Sequence, residues 1–150
     1  MDWIPLIDQE EINKFMNAFG RFHDACLKEL YLWTDHYVNN DFAMNVSNKL
    51  DNRIRVLFQR QWNDPSAVEL LFEEVVKLCI SPSSENYDSI IFGASLYFEN
   101  GICYWADDSN WRHDKQFNYE VNWIAARKVS WREPRRGRSG ASFAYGSVLP

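Results

Sequence analysis

Apolar residues at helical spacing open the chain. Within residues 7–20 they occupy positions 7, 12, 15, 16 and 19, and acidic residues lie in the first turn. This spacing predicts an amphipathic helix with one buried face, and the acidic first turn suits the helix dipole. Asp8 is the predicted N-cap, with Glu11 three residues later as its capping-box partner, and Gly20 is the predicted stop.

Beyond Gly20 the apolar positions alternate with a period of two, which is typical of strands. The predicted strands are residues 25–34, 42–46, 53–62, 68–80, 89–99, 102–106 and 121–131. Residues 68–80 also keep a helical spacing, but their β-branched content favours a strand. Asn100-Gly101 predicts a type I′ hairpin between the fifth and sixth strands.

No second helical pattern separates these strands, so we expect no parallel crossover. The predicted class is α+β, mainly β: an N-terminal helix followed by an antiparallel meander of about seven strands, curled into a half-barrel or sandwich. Residues 1–132 are predicted to form a single domain. Residues 133–150 shift to Arg, Gly and Ser and are predicted to form a basic tail.

Composition and charge narrow the function classes. The chain has 150 residues, is 46% hydrophobic and carries a net charge of −5, which excludes a disordered or low-complexity protein. Residues 1–126 hold 10 Lys and Arg against 20 Asp and Glu, so the body is acidic and the C-terminal segment basic. An acidic body repels phosphate backbones and attracts a basic protein partner. We therefore expect no specific nucleic-acid binding.

The apolar runs are too short to span a membrane, and the first residues lack the pattern of a signal peptide. These two features predict a cytoplasmic protein. Cys26, Cys79 and Cys103 have no CxxC spacing and are interpreted as buried, reduced thiols.

Two His-Asp pairs are the simplest candidates for metal chemistry. His23-Asp24 follows the helix, and His113-Asp114 lies in the long polar segment after Ala106. Imidazole and carboxylate are both metal ligands, but metal phosphohydrolases with such pairs are helical. We therefore interpret His23 and Asp24 as a structural corner and expect no metal or cofactor. The chain also lacks a nucleophile elbow, a P-loop, a dinucleotide fingerprint and an HExxH motif.

The long polar segment is the predicted partner-binding site, because its carboxylates lie beside large aromatic residues that suit binding anchors. Its predicted contact residues are Trp105, Asp107, Asp108, Trp111 and Asp114.

Three charged residues interrupt otherwise apolar strand faces: Arg60, Glu74 and Arg127. Buried charges need partners, so Glu74 is expected to pair with Arg60 or Arg127. One hypothesis places all three in a ligand pocket on the concave face of the sheet. The alternative is a structural ion pair, or a β-bulge that shifts the register.

Several segments carry a resemblance to known proteins. They are Phe22-His23-Asp24-Ala25-Cys26-Leu27-Lys28-Glu29-Leu30, Phe58-Gln59-Arg60-Gln61, Ala67-Val68-Glu69-Leu70-Leu71-Phe72 and Tyr104-Trp105-Ala106-Asp107. Over residues 15–132 the chain resembles a family of small uncharacterised bacterial proteins with an FHD motif after an N-terminal helix. It is also similar to bacterial toxin-immunity proteins, a resemblance that implies no catalytic residues.

Two functions are therefore predicted. The first is a non-catalytic protein-binding module, specifically an immunity-type inhibitor with a basic partner. The alternative is a small-ligand carrier or an enzyme that binds its ligand in the predicted pocket on the concave face of the sheet. A structural homodimer formed through an edge strand remains open as well.

Overall fold

The structure is a computed structural model that describes residues 2–134. This part of the chain forms one α-helix, a 3₁₀ turn at Gly20–Phe22 and nine strands. In chain order the elements are β1 Ile4–Pro5, α1 Gln9–Ala18, β2 Ala25–Trp33, β3 Tyr37–Val38, β4 Met44–Asn45, β5 Arg53–Arg60, β6 Ala67–Cys79, β7 Ser95–Glu99, β8 Ile102–Ala106 and β9 Trp123–Arg132.

Seven of the strands form one antiparallel sheet in the order β2-β5-β6-β9-β8-β7, with the short β1 pairing beside β9. The α+β, mainly β class is confirmed, and the sheet is not closed into a barrel. The strand order is not fully consecutive, because β6 pairs with β9 and the β7–β8 hairpin lies beyond β9. Residues 80–94 carry the chain across to this far edge.

Helix α1 begins and ends where its sequence signals predict. The Glu11 N–H donates to Asp8 Oδ1 at 2.8 Å, so Asp8 is the N-cap. Gly20 takes a φ of +58°, the left-handed conformation that glycine adopts without steric cost at a helix end. The apolar face of α1 packs onto one face of the sheet through Phe15, Met16 and Phe19.

The core between α1 and the sheet is rich in aromatic rings. Phe22 lies at its centre, with its ring centroid 4.9 Å from that of Phe58 and 6.1 Å from that of Trp105. All three side chains are fully buried. A single hydrophobic core therefore links the helix end, the middle of the sheet and β8.

The strand predictions hold best where local signals are strong. Asn100 and Gly101 have φ values of +53° and +79°, as a type I′ turn requires, so the predicted hairpin is confirmed. Of the predicted strand 89–99, only Ser95–Glu99 is strand. The predicted strand 42–46 shortens to β4, which pairs with β3 in a separate two-stranded ribbon.

The apolar pattern of β6 is interrupted at Glu74, close to an irregularity in the strand. The Glu74 φ of +53° is left-handed, and the pairing of β6 with β9 shifts register between Val75 and Lys77. The shift leaves Val76 without a partner on β9, so β6 contains a β-bulge, but two residues beyond the position that the sequence pattern indicates.

Within residues 2–134, no helix combines the length and apolar character needed to cross a membrane. The predicted tail of residues 133–150 lies outside the described residues from position 135 onward.

The prediction of three buried thiols is wrong for two of them, because Cys26 and Cys79 are exposed and Cys103 alone of the three is buried.

Candidate functional site

The loop of residues 107–122 folds back over the sheet, on the face opposite α1. Tyr97 and Tyr104 point to this face because they alternate with the core residues Leu96 and Trp105. The loop residue His113 stacks on Tyr104, with ring centroids 4.1 Å apart.

Trp111 completes this aromatic layer. Its ring centroid lies 4.9 Å from that of Trp123 on β9 and 6.2 Å from that of Tyr104. The residue is only 6% exposed. Trp111 therefore packs the loop onto the sheet, although half of the loop residues stay exposed.

The carboxylates at the start of the loop are used by the loop itself. Asp107 Oδ1 accepts the Asn122 N–H at 3.0 Å, which ties the two ends of the loop together. Asp108 accepts the Asn110 N–H at 2.8 Å and the Tyr119 hydroxyl at 3.0 Å. Desolvation raises the pKa of the Asp107 carboxyl despite its hydrogen bonds to Asn122.

Polar side chains pin the middle of the loop to the β7–β8 hairpin. His113 Nε2 lies 2.9 Å from Glu99 Oε2, and Arg112 donates to Glu99 Oε1 at 3.1 Å. The Tyr97 hydroxyl lies 2.8 Å from His113 Nδ1 and accepts the His113 N–H at 3.0 Å. Arg112 also pairs with Asp114 at 3.4 Å and lies over the Tyr97 ring.

This cluster contains side chains of the metal-ligand type, since one ligand atom each of Glu99, His113 and Asp114 lies within 4.8 Å of the other two. The Arg112 guanidinium already contacts both carboxylates, so the cluster is charge-compensated by protein groups. Desolvation raises the pKa of the Tyr97 phenol, which keeps it protonated instead of activating it as a nucleophile. The geometry is that of a loop anchor.

These positions bear directly on the predicted partner-binding residues. Trp105 has no exposed surface and Trp111 nearly none, so both act as core side chains instead of surface anchors. Asp107 and Asp108 are engaged within the loop, and Asp114 pairs with Arg112. A role for these aspartates in partner binding stays a prediction.

The three predicted pocket residues are not brought together. Arg60 donates to the carbonyls of Pro65 at 2.8 Å and Ala18 at 3.2 Å, and so joins the end of α1 to β5. Glu74 lies 3.8 Å from Arg127, as one of the predicted pairings proposed, and both side chains are partly exposed. A cleft of about 430 Å³ is lined by Arg60 but by neither Glu74 nor Arg127. Arg60 lies at the other end of β5 from the Glu74–Arg127 pair, so the structure does not bring the three side chains around one cleft.

His23 and Asp24 lie between the 3₁₀ turn and β2. His23 Nδ1–H donates to the Phe92 carbonyl at 2.8 Å, and its Nε2 lies 3.5 Å from Asp24 Oδ2. The Gln61 N–H donates to the Asp24 carbonyl at 3.3 Å. These contacts tie the corner to two neighbouring segments.

The densest run of exposed apolar side chains lies elsewhere, on residues 35–51, which we call the arm. The arm carries the β3–β4 ribbon between β2 and β5. Five of its apolar side chains are more than half exposed: Tyr37, Val38, Phe42, Met44 and Val46. Phe42 at the tip is 92% exposed. The described residues have fifteen exposed large apolar side chains, so one third of them fall within ten consecutive positions.

Local hydrogen bonds hold the tip of the arm in shape. Asn39 Oδ1 accepts the N–H groups of Asp41 and Ala43 at 2.9 and 3.1 Å, and the Asn39 N–H donates to the Ala43 carbonyl at 2.9 Å. Phe42 has a φ of +61°, a conformation that non-glycine residues avoid. The tip therefore presents the Phe42 ring to solvent from a defined turn.

Polar contacts close the base of the arm. The Asp35 N–H donates to Asp51 Oδ2 at 3.1 Å, and Arg53 forms an ion pair with Asp35. The Ser47 N–H donates to His36 Nδ1 at 3.2 Å. The arm is thus a shaped projection joined to the sheet at one end.

The arm is not marked as an interaction surface by its sequence pattern. Its apolar residues alternate like those of a buried strand, and Asn39-Asn40-Asp41 resembles an ordinary turn. The available signal was the shortness of these strands beside such polar turns, because a two-stranded ribbon buries little by itself.

Comparison with known proteins adds no further assignment: no family model, no curated protein and no solved structure matches this chain.

Proposed function

We propose that this protein is a non-catalytic protein-binding module and that the arm is its contact surface. The observation that carries the proposal is the clustering of five exposed apolar side chains on one projecting ribbon. Large exposed apolar patches mark interaction sites on proteins, whereas single exposed apolar residues do not. Aromatic and methionine side chains, such as Phe42, Tyr37 and Met44, are also the types enriched at interfaces.

The charge around this surface favours a basic partner. The arm contains Asp35, Asp41 and Asp51 but only one cation, Lys49. The acidic body extends this negative field over residues 1–126. Such a field accelerates the approach of a positively charged protein, and the apolar side chains then slow its release.

Within this proposal the specific role is that of an immunity-type inhibitor of a basic bacterial toxin. It is supported by the acidic charge and by the resemblance carried by Phe22-His23-Asp24 and the segments that follow it. An inhibitor of this kind needs a binding surface and no catalytic group of its own. The arm would supply that surface.

A matched pair of double variants tests the proposal in lysate of the source cells. Phe42→Ser with Met44→Ser removes apolar surface from the arm. Trp62→Ser with Tyr87→Ser removes side chains of comparable exposure elsewhere, and Trp62 shares the left-handed backbone of Phe42. Partners of wild type and both variants are captured, eluted with a salt step and identified, and each partner is then purified for affinity measurement.

The expected result is one basic protein that elutes at moderate salt and binds wild type and the Trp62/Tyr87 variant equally. Its affinity for the arm variant should fall at least about thirtyfold, because two central contacts are lost. Equal binding by both double variants would contradict the arm as the surface. Recovery of a second copy of this chain, with loss of dimer in the arm variant, would replace the basic partner with self-association.

A further inference from the structure

A second surface, independent of the arm, lies at the opposite edge of the sheet. A cleft of about 520 Å³ runs beside β7. The helix α1 forms one wall through Gln9, Asn13 and Met16, and residues 109–112 of the loop form the other. Residues 92–97 line its base, so the cleft follows the edge strand itself.

The β7 edge offers unpaired backbone groups. In a two-residue hairpin the residues flanking the turn exchange both backbone hydrogen bonds, and this pairing recurs at every second residue. Glu99, Tyr97 and Ser95 therefore bond to β8, while the N–H and C=O groups of Leu96 and Phe98 point away from it. Within residues 2–134 no strand pairs with β7 on that side.

The walls suit an extended chain. Gln9, Asn13 and Met16 are spaced by four and three residues, so they share one face of α1. Leu96 and Trp111 line the cleft but are almost fully buried, so the accessible apolar surface comes from Phe92, which stands at the rim with 72% of its surface exposed. Residues 94–99 span about 17 Å at the rise of a β-strand, the length of a peptide of five or six residues.

The cleft differs in charge from the rest of the acidic body. Its lining contains two arginines and no carboxylate. The charge of Arg112 is balanced by Glu99 and Asp114, whereas the Arg21 side chain forms no ion pair with the described residues. The Arg21 carbonyl accepts the Ala94 N–H at 3.0 Å, which holds this residue beside the start of β7.

We propose that this cleft binds an extended segment of a partner protein, which adds to β7 as a further strand. The segment carries an acidic side chain that meets Arg21 and an apolar side chain that packs on Phe92. Main-chain hydrogen bonds to Leu96 and Phe98 supply affinity, and the side-chain contacts supply the preference. The site requires neither the arm nor a basic partner.

Blocked hexapeptides of alternating valine and threonine test this proposal by NMR titration of the labelled full-length protein. In the first set each peptide carries a single aspartate, placed at a different alternate position in each peptide. The second set carries lysine at the same positions. A third set repeats the aspartate peptides with N-methyl groups on the residues that would pair with β7, which removes the pairing N–H groups. Two protein variants accompany wild type: Arg21→Asn, since asparagine tolerates the left-handed φ of +54°, and Lys77→Gln as an exposed cation outside the cleft.

The expected result is that aspartate peptides shift the amides of Leu96 and Phe98 and bind about tenfold more tightly than lysine peptides. Arg21→Asn should abolish that preference, Lys77→Gln should keep it, and N-methylation should weaken binding at least about tenfold. The Phe42→Ser/Met44→Ser variant should bind the peptides like wild type, which separates this site from the proposed function. Equal binding of N-methylated peptides, shifts on β2 in place of β7, or no binding by any peptide at about 5 mM would overturn the proposal.

Discussion

The arm and the loop of residues 107–122 both connect strands of the same sheet, but they differ in whether their aromatic side chains are buried. Both leave between strands and both combine polar turns with aromatic side chains. In the loop, Trp111 packs on Trp123, and Asp107 accepts a hydrogen bond from another loop residue, Asn122. In the arm, Phe42 projects into solvent.

The difference lies in the surface that each segment meets. The loop returns over β7, β8 and β9, where Tyr97, Tyr104 and Trp123 offer a layer of rings to receive it. The arm leaves from β2, which is the last strand at the other edge of the described sheet. Aromatic content alone therefore does not distinguish a binding surface from a second layer of packing.

The largest expected effect compares Trp111→Ala with Phe42→Ala. Trp111→Ala removes the buried ring by which the loop packs on the sheet, so we expect the free energy of unfolding to fall by about 3–4 kcal/mol. Phe42→Ala removes an exposed ring and should change it by less than about 0.5 kcal/mol. Both changes are measured by urea denaturation, monitored by far-UV circular dichroism instead of tryptophan fluorescence because one variant lacks a tryptophan. Similar losses for the two variants would erase the contrast between loop and arm.

The second effect concerns the anchor of the loop. Tyr97→Phe removes the hydroxyl that accepts the His113 N–H and contacts His113 Nδ1. We expect a loss of about 1–2 kcal/mol in stability, because these partly buried polar groups lose a partner. Amide hydrogen exchange should rise in residues 107–122 and stay unchanged in the arm. Unchanged exchange in the loop would show that ring stacking alone holds it.

The smallest effect separates the two roles of Asp107. Asp107→Ala leaves the Asn122 N–H without its acceptor and should cost about 1 kcal/mol. Asp107→Asn keeps an acceptor and removes the charge that burial disfavours, so its stability should equal or exceed that of wild type at pH 7.

The sign of the pH dependence follows from the raised pKa of Asp107. Its folded state holds the proton more readily than the unfolded state, so this carboxyl loses stabilising effect as pH rises from about 4 through its folded pKa. The stability of Asp107→Asn relative to wild type should therefore increase from pH 4 to pH 7. A decrease over this range would mean that the ionised carboxylate is favoured by the fold.

Local signals in the sequence predicted the elements that depend only on neighbouring residues. Asp8 caps α1, and Asn100-Gly101 forms the hairpin turn, because each is decided within a few positions. The insertion of β9 between β6 and β8 depends on long-range pairing, which periodicity does not encode.

The same limit applied to the sites. Trp105 alternates toward the core and Tyr104 toward the loop, but which face each strand turns to the helix is fixed only by the assembled sheet. The apolar positions of the arm alternate like those of an interior strand. This alternation is the same whether or not a neighbouring sheet covers the side chains. Glu74 interrupts the apolar pattern of β6, but the register shift lies between Val75 and Lys77, beyond the position that the sequence pattern indicates.

Site-specific photocrosslinking in the source cells tests the contrast between arm and loop most directly. A photoreactive phenylalanine analogue is placed at position 42 on the arm or at position 119 on the loop, both exposed in the free protein. We expect a covalent adduct with one basic protein from position 42 and none of that adduct from position 119. Adducts formed from position 119 alone, or equally from both positions, would contradict the assignment of the arm as the binding surface.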